Sequence, residues 1–251
     1  MQIRRFIGLV FILSFSSAEF EKERSIMTTL RNNFRNAYPA GQQFGVLYLH
    51  KGSVATDPVV SYDVQNLCTD VDKSGTQKNV IRSTAASWST NIFNPANGVT
   101  RFDPPIWPTM TPLLAEDCKN RHPNVATAGY DQSIHKPVSN AGHSEYFLLT
   151  LALKKMLQSY KQNSEGNVCP GAIFLYSYNS PCYSLPYGKY GFNCMNSIGF
   201  ARKDTINVEC SGTTEVPFYV GYTKKYNGKK EDWKAEKEAL ESVNVDVIQV
   251  P

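Results

Sequence analysis

Residues 143–182 read HSEYFLLTLALKKMLQSYKQNSEGNVCPGAIFLYSYNSPC. Tyr146 to Tyr160 is apolar at helical spacing, and Gln162 to Asn167 is a polar break. Ala172 to Tyr178 is a short uncharged run of aromatic and branched residues, the pattern of a strand covered on both faces. Downstream, a short helix is expected over Met195 to Lys203, then a strand over Phe218 to Tyr222. A helix over Lys230 to Val243 and a strand over Val245 to Val250 follow. Strands alternating with helices in this way imply a layered α/β sheet that includes parallel neighbours. Ile206 to Cys210 reads either as one more strand or as part of the loop before Phe218.

Upstream the pattern is thinner. Ile26, Leu30 and Phe34 lie at helical spacing in a leading helix from Glu21 to Asn36, which Pro39 and Gly41 end. Phe44 to His50 (FGVLYLH) is a first strand, and Val59, Val60, Tyr62 and Val64 suggest a second extended segment. From about residue 68 to 140 periodicity is lost, and Pro, Asn, Ser and Thr collect in a loop-rich insertion.

With 251 residues, 41% of them hydrophobic, the chain can bury one substantial core, and collagen-like, coiled-coil and disordered classes are excluded. Arg4 and Arg5 precede an apolar run from Phe6 to Phe15, too short to span a bilayer comfortably, and Ser16, Ser17 and Ala18 follow. This three-part pattern reads as a cleavable secretory signal over residues 1–18, with a single domain over 19–251. An uncleaved anchor is the alternative; Glu19, Glu21 and Lys22 argue against it. A secreted protein without stable membrane association is therefore expected. Loss of Arg4 and Arg5 takes the formal charge from +4 to +2, which does not argue for tight nonspecific polynucleotide binding.

Secretion bears on the six cysteines, because thiols in an oxidising compartment tend to pair. Three disulfides are one solution, and two disulfides with two metal thiolates are the other. Two short motifs favour the second. His143, Ser144 and Glu145 open the long apolar helix, and Ser180, Pro181 and Cys182 follow directly from the buried strand. Each motif alone is weak; their order and setting give them weight. First-turn side chains lean back over the helix end, so His143 and Glu145, two residues apart, can reach one point there. In mid-helix they would face nearly opposite sides. Ser180 as a cap and Pro181 as a first helical residue would set free backbone N–H groups around the Cys182 thiolate.

Asn140 to Leu149 (NAGHSEYFLL), Leu175 to Cys182 (LYSYNSPC) and Phe218 to Val250 resemble the AID/APOBEC branch of the cytidine deaminases. With its secretory signal, the chain is similar to the secreted novel AID/APOBEC-like deaminases of fishes. The resemblance covers roughly the C-terminal half. It implies a cytidine deaminase-like α/β fold, a five-stranded mixed sheet with helices on both faces and a disulfide-stapled insertion. It implies one zinc ion held by His143, Cys182 and Cys194, and Glu145 as a proton shuttle that is not a ligand. The reaction implied is hydrolytic loss of ammonia from cytosine in single-stranded DNA or RNA, with a role in defence against foreign nucleic acid. Asn140, Tyr178, Asn179, Ser180, Tyr222 and Tyr226 would hold the base. In the family, the loop carrying Lys224, Lys225, Tyr226, Lys229 and Lys230 contacts the nucleotide beside it.

This sequence departs from the family in two places. Eleven residues separate Cys182 from Cys194, where the family signature spaces its cysteines closely, so Cys210 is an alternative ligand. Asn179 stands where the family's antibody-diversifying and antiviral members carry tryptophan. With zinc at Cys182 and Cys194, the remaining cysteines make two disulfides, and proximity in sequence favours Cys68 with Cys118 and Cys169 with Cys210. Two other functions fit the same residues: a deaminase of free cytosine-containing nucleosides or nucleotides, and a secreted disulfide-bonded binding protein that keeps the scaffold without turnover.

Overall fold

A strand with both faces covered belongs at the middle of a sheet, and Ala172–Asn179 is the central strand of five. The computed structural model describes residues 20–35, 38, 41–55, 70–71, 77–78, 124–130, 143–183, 193–212, 215–225 and 230–251. Along the chain the elements are α1 (Glu21–Arg35), β1 (Phe44–His50), β2 (Val125–Gly129), α2 (residues 144–163), β3 (Ala172–Asn179), α3 (residues 194–209), β4 (Phe218–Lys224), α4 (Lys230–Glu241) and β5 (Val245–Gln249). Asp70–Val71 and Gln77–Lys78 form a separate antiparallel ribbon. No helix among the described residues is long and apolar enough to cross a membrane.

The sheet is mixed, in the order β2-β1-β3-β4-β5. Strand β1 pairs antiparallel with β2 and with β3, whereas β3, β4 and β5 run parallel. Side chains alternate across it with the strand period of two. Ala172, Phe174 and Tyr176 of β3 join Phe44, Val46 and Tyr48 of β1 on one face, where α1 covers them with Ile26, Met27, Leu30 and Phe34. A Cβ on Gly221 of β4 would collide with the Met27 sulfur, so glycine there lets α1 close onto the sheet. Ile173 and Leu175 face the other way with Leu47, Leu49, Val220 and Val247, under α2, α3 and α4.

Three expectations change. Strand β2 falls inside the span read as irregular insertion: VATAG has two alanines and a terminal glycine, weak strand formers, and becomes an edge strand by pairing with β1. Residues 206–210 add no strand, because α3 continues through Ile206 and Asn207–Glu209, with Ile206 buried and Val208 62% exposed. Finally, residues 181–183 are not helical, so Pro181 opens no helix; the helix begins at Cys194 with Asn193 as its cap. The signal over 1–18, the extended segment at 59–64 and the remaining parts of the insertion lie outside the described residues.

Candidate metal centre

Strand β3 ends at Asn179, and the backbone N–H of Ser180 donates to the Lys224 carbonyl at 2.6 Å. This bond directs the chain leaving β3, so that Cys182 arrives beneath the start of α3. The Asn193 side chain accepts from the Asn196 N–H at 2.7 Å and caps α3, which sets Cys194 in its first turn. The Cys194 N–H donates to Cys182 Sγ at 3.1 Å, and the Met195 N–H donates to the Cys182 carbonyl at 3.2 Å. The free helical N–H expected around Cys182 therefore comes from α3, across the segment between the two cysteines.

His143 holds the cap position of α2 in an extended conformation, with Ser144–Phe147 as the first helical turn. Gly45 lies opposite: a Cβ there would come within 3.0 Å of both Ser144 Oγ and Leu148 Cδ1. The glycine thus lets the first turn of α2 rest against β1. Both helices that carry ligand candidates widen after their first turns, into π-helical stretches at Leu148–Ala152 and Ala201–Ile206. Single π turns are frequent at functional sites.

From these three segments the ligand atoms of His143, Cys182 and Cys194 converge, all within 4.8 Å of one another. His143 Nδ1 lies 3.2 Å from Cys194 Sγ. Both cysteines are buried and neither is in a disulfide. An ion held at about 2.0 Å from nitrogen and 2.3 Å from each sulfur in a tetrahedral site sets its ligand atoms roughly 3.5–3.8 Å apart, so the group is of the right size to hold one metal ion. Cys210, the alternative ligand, is instead joined to Cys169, the pairing favoured by proximity.

Electrostatics within the group divide the two thiols. The hydrogen bond from Cys194, with support from His143, holds Cys182 well below the ordinary thiol range, while burial and the neighbouring Cys182 push Cys194 well above it. Burial acts to lower His143, but its hydrogen bond to Cys182 and the negative charges of Cys182 and Glu145 carry it above its usual value. Glu145 is fully buried, and that burial raises its pKa against the opposing field of His143.

The Glu145 carboxylate is surrounded by donors. Ser177 Oγ reaches Oε1 at 2.8 Å, Ser144 Oγ reaches Oε2 at 3.0 Å, and Gln43 Nε2 lies 3.4 and 3.2 Å from the two oxygens. The Tyr130 ring packs 5.8 Å from that of His143. Gln43, Tyr130 and Ser177 carry no local motif and escape sequence reading. Asn193 did have a signal, as a capping residue type just before a run of helix formers.

The residues expected around a base divide into groups. Ser180 is buried beside Cys182, and Asn179 is half-buried at the end of β3, in register with Lys224. Tyr178 points to the face opposite Ser177, where it stacks 5.9 Å from Phe44, with Arg35 4.9 Å and Lys224 5.2 Å from its ring centre. Tyr222 is in the core, its ring 5.2 Å from Trp233, which also packs on Tyr183. Asn140, Tyr226, Cys68 and Cys118 lie outside the described residues. No family model, no curated protein sequence and no solved structure matches the chain.

Proposed function

We propose that the protein is a secreted, zinc-dependent cytidine deaminase of the cytidine deaminase fold, acting on cytosine in single-stranded nucleic acid. The observation that carries this reading is the convergence of one imidazole and two unpaired thiols from three distant segments beside a buried carboxylate that lies outside the ligand group. That donor set suits zinc, and three protein ligands leave a fourth position open. The resemblance of HSE and SPC to the AID/APOBEC branch supports cytosine as the base. The signal-like N-terminus and the Cys169–Cys210 disulfide support secretion.

Held by His143, Cys182 and Cys194, zinc would supply a water acidic enough to react near neutrality. Glu145 would carry one water proton to the ring nitrogen, where it stays in uracil, and then the second, from the added hydroxyl, to the amine, which leaves as ammonia. Its burial raises its affinity for the proton it must hold between transfers. Ser144 and Ser177 donate to opposite oxygens of the carboxylate, and each hydroxyl can rotate to accept once the carboxyl is protonated. The complete burial of Glu145 also suits the second reading, a binding protein that keeps the scaffold without turnover.

The test is release of ammonia, and appearance of uracil, from a single-cytosine oligonucleotide and from free cytidine. Zinc-loaded protein is expected to deaminate the oligonucleotide, and Glu145→Ala to lose about a hundred- to ten-thousandfold in rate while keeping its zinc. A zinc-loaded protein inactive on both substrates overturns the enzymatic reading, and activity confined to cytidine overturns the polynucleotide one.

A further inference from the structure

Three side chains donate to the Glu145 carboxylate, and they are unequal. Ser144 and Ser177 are buried, make the shorter contacts, and take one oxygen each. Gln43 is half-buried, comes from the segment just before β1, and spans both oxygens at 3.4 and 3.2 Å. Each hydroxyl restrains one oxygen, and of the three side chains Gln43 alone reaches both.

The backbone around Gln43 is firmly held. Its carbonyl accepts from the Tyr130 N–H at 3.0 Å, and the neighbouring Gln42 amide donates to the Tyr130 carbonyl at 3.3 Å. These bonds extend the β1–β2 pairing by one step beyond Phe44 and Gly129. One clip at the end of the two strands thus touches both halves of the centre: the Tyr130 ring lies against His143, and the Gln43 amide against Glu145. The amide group chemistry is also distinct, since Nε2 can only donate, unlike the two hydroxyls.

We propose that Gln43 is a positioning residue for the Glu145 carboxylate, fixing its plane toward the point where water and base meet, an assignment that rests on the reading of Glu145 as the proton carrier. Placement errors of an ångström at a reacting group cost on the order of a hundredfold in rate, so the loss should fall on the chemical step. Metal loading should be spared because Gln43 is outside the ligand group, and substrate binding because its amide is spent on Glu145.

The experiment compares zinc-loaded wild type, Gln43→Met and Gln158→Met on a single-cytosine oligonucleotide. Gln43→Met keeps the side chain's length and removes its donor; Gln158→Met removes an exposed amide that bonds Glu209, away from the centre. Gln43→Met is expected to lower kcat by about ten- to a hundredfold with KM within twofold, full zinc and a cooperative thermal melt. Gln158→Met is expected to keep the kcat of the wild type. Should Gln43→Met fail to fold, Gln43→Asn, whose amide falls short of the carboxylate, carries the same expectation. A Gln43 variant indistinguishable from Gln158→Met overturns the assignment, as does one that raises KM alone, which would make the amide a substrate contact. An inactive wild type removes the deaminase reading and this assignment with it; an active wild type with an unaffected Gln43 variant removes the assignment only.

Discussion

Strand β3 and helix α3 are tied to each other at both ends, by the same residue type in two chemical states. At one end Cys169, just before β3, is joined to Cys210, just after α3. At the other, Cys182 after β3 meets Cys194 at the start of α3, with both thiols unpaired. The difference lies in the neighbours. His143 and Glu145 stand beside the second pair, whereas Cys169 Sγ has the Glu209 carbonyl 3.9 Å away, which Lys161 also bonds. A cysteine pair in an oxidising compartment forms a staple by default. With an imidazole at 3.2 Å, the second pair joins a group that could hold a metal ion.

The sharpest way to break this comparison is to remove the imidazole. His143→Ala is expected to take zinc from about one per chain to nearly none. At zinc a thousandfold above the dissociation constant, lost binding corresponds to about 4 kcal/mol of stability. Elemental analysis and thermal melts in the presence and absence of zinc check both parts. Unchanged zinc content would place the metal elsewhere.

Removing the other tie should leave the metal in place. The Cys169→Ala, Cys210→Ala double variant opens a loop with a sequence separation of 41, for which chain entropy gives about 2–4 kcal/mol of lost stability. Denaturant melts measure that loss, and zinc content should stay at one per chain. Zinc falling along with the disulfide would show that the two ends are not independent.

How much of this was legible beforehand follows from where each signal resides. Strand β3 and helix α2 announce themselves, because their burial is written as local apolar runs. The ligand candidates were readable from HSE and SPC, but Cys194 only as one of two choices. Nothing local says that the two sulfurs flanking residues 183–193 end together. Strand β2 was invisible because Val125–Gly129 is small and weakly strand-forming, and takes its conformation from β1. Ile206 and Val208 misled in the opposite direction: branched residues two apart suggest a strand, yet one faces the core and the other solvent on a continuing helix. Gln43 and Ser177 acquire their roles only from tertiary approach to Glu145.

The smallest expected effect lies near the disulfide end. Buried Arg202 bonds the Val216 carbonyl at 2.7 Å and pairs with Glu215, whose carboxyl also accepts from the Asn244 amide at 2.6 Å. The Asn244 hydrogen bond foremost, with Arg202 beside it, holds Glu215 below the usual carboxylate range. A depressed value in the folded state means stabilisation that is present above the unfolded pKa and is lost as pH falls through the folded one. Glu215→Gln should therefore flatten the acid limb of the stability profile and leave zinc content untouched. An identical acid limb in both proteins contradicts the pairing.

The central claim, that one imidazole and two thiolates hold a single ion, is met most directly by X-ray absorption at the zinc edge on the purified mature protein. The account predicts two sulfur neighbours at about 2.3 Å and nitrogen or oxygen neighbours near 2.0 Å, with Cys182 and Cys194 unpaired by peptide mapping. A shell without sulfur, or a Cys182–Cys194 disulfide in metal-free protein that cannot be loaded after mild reduction, would contradict it.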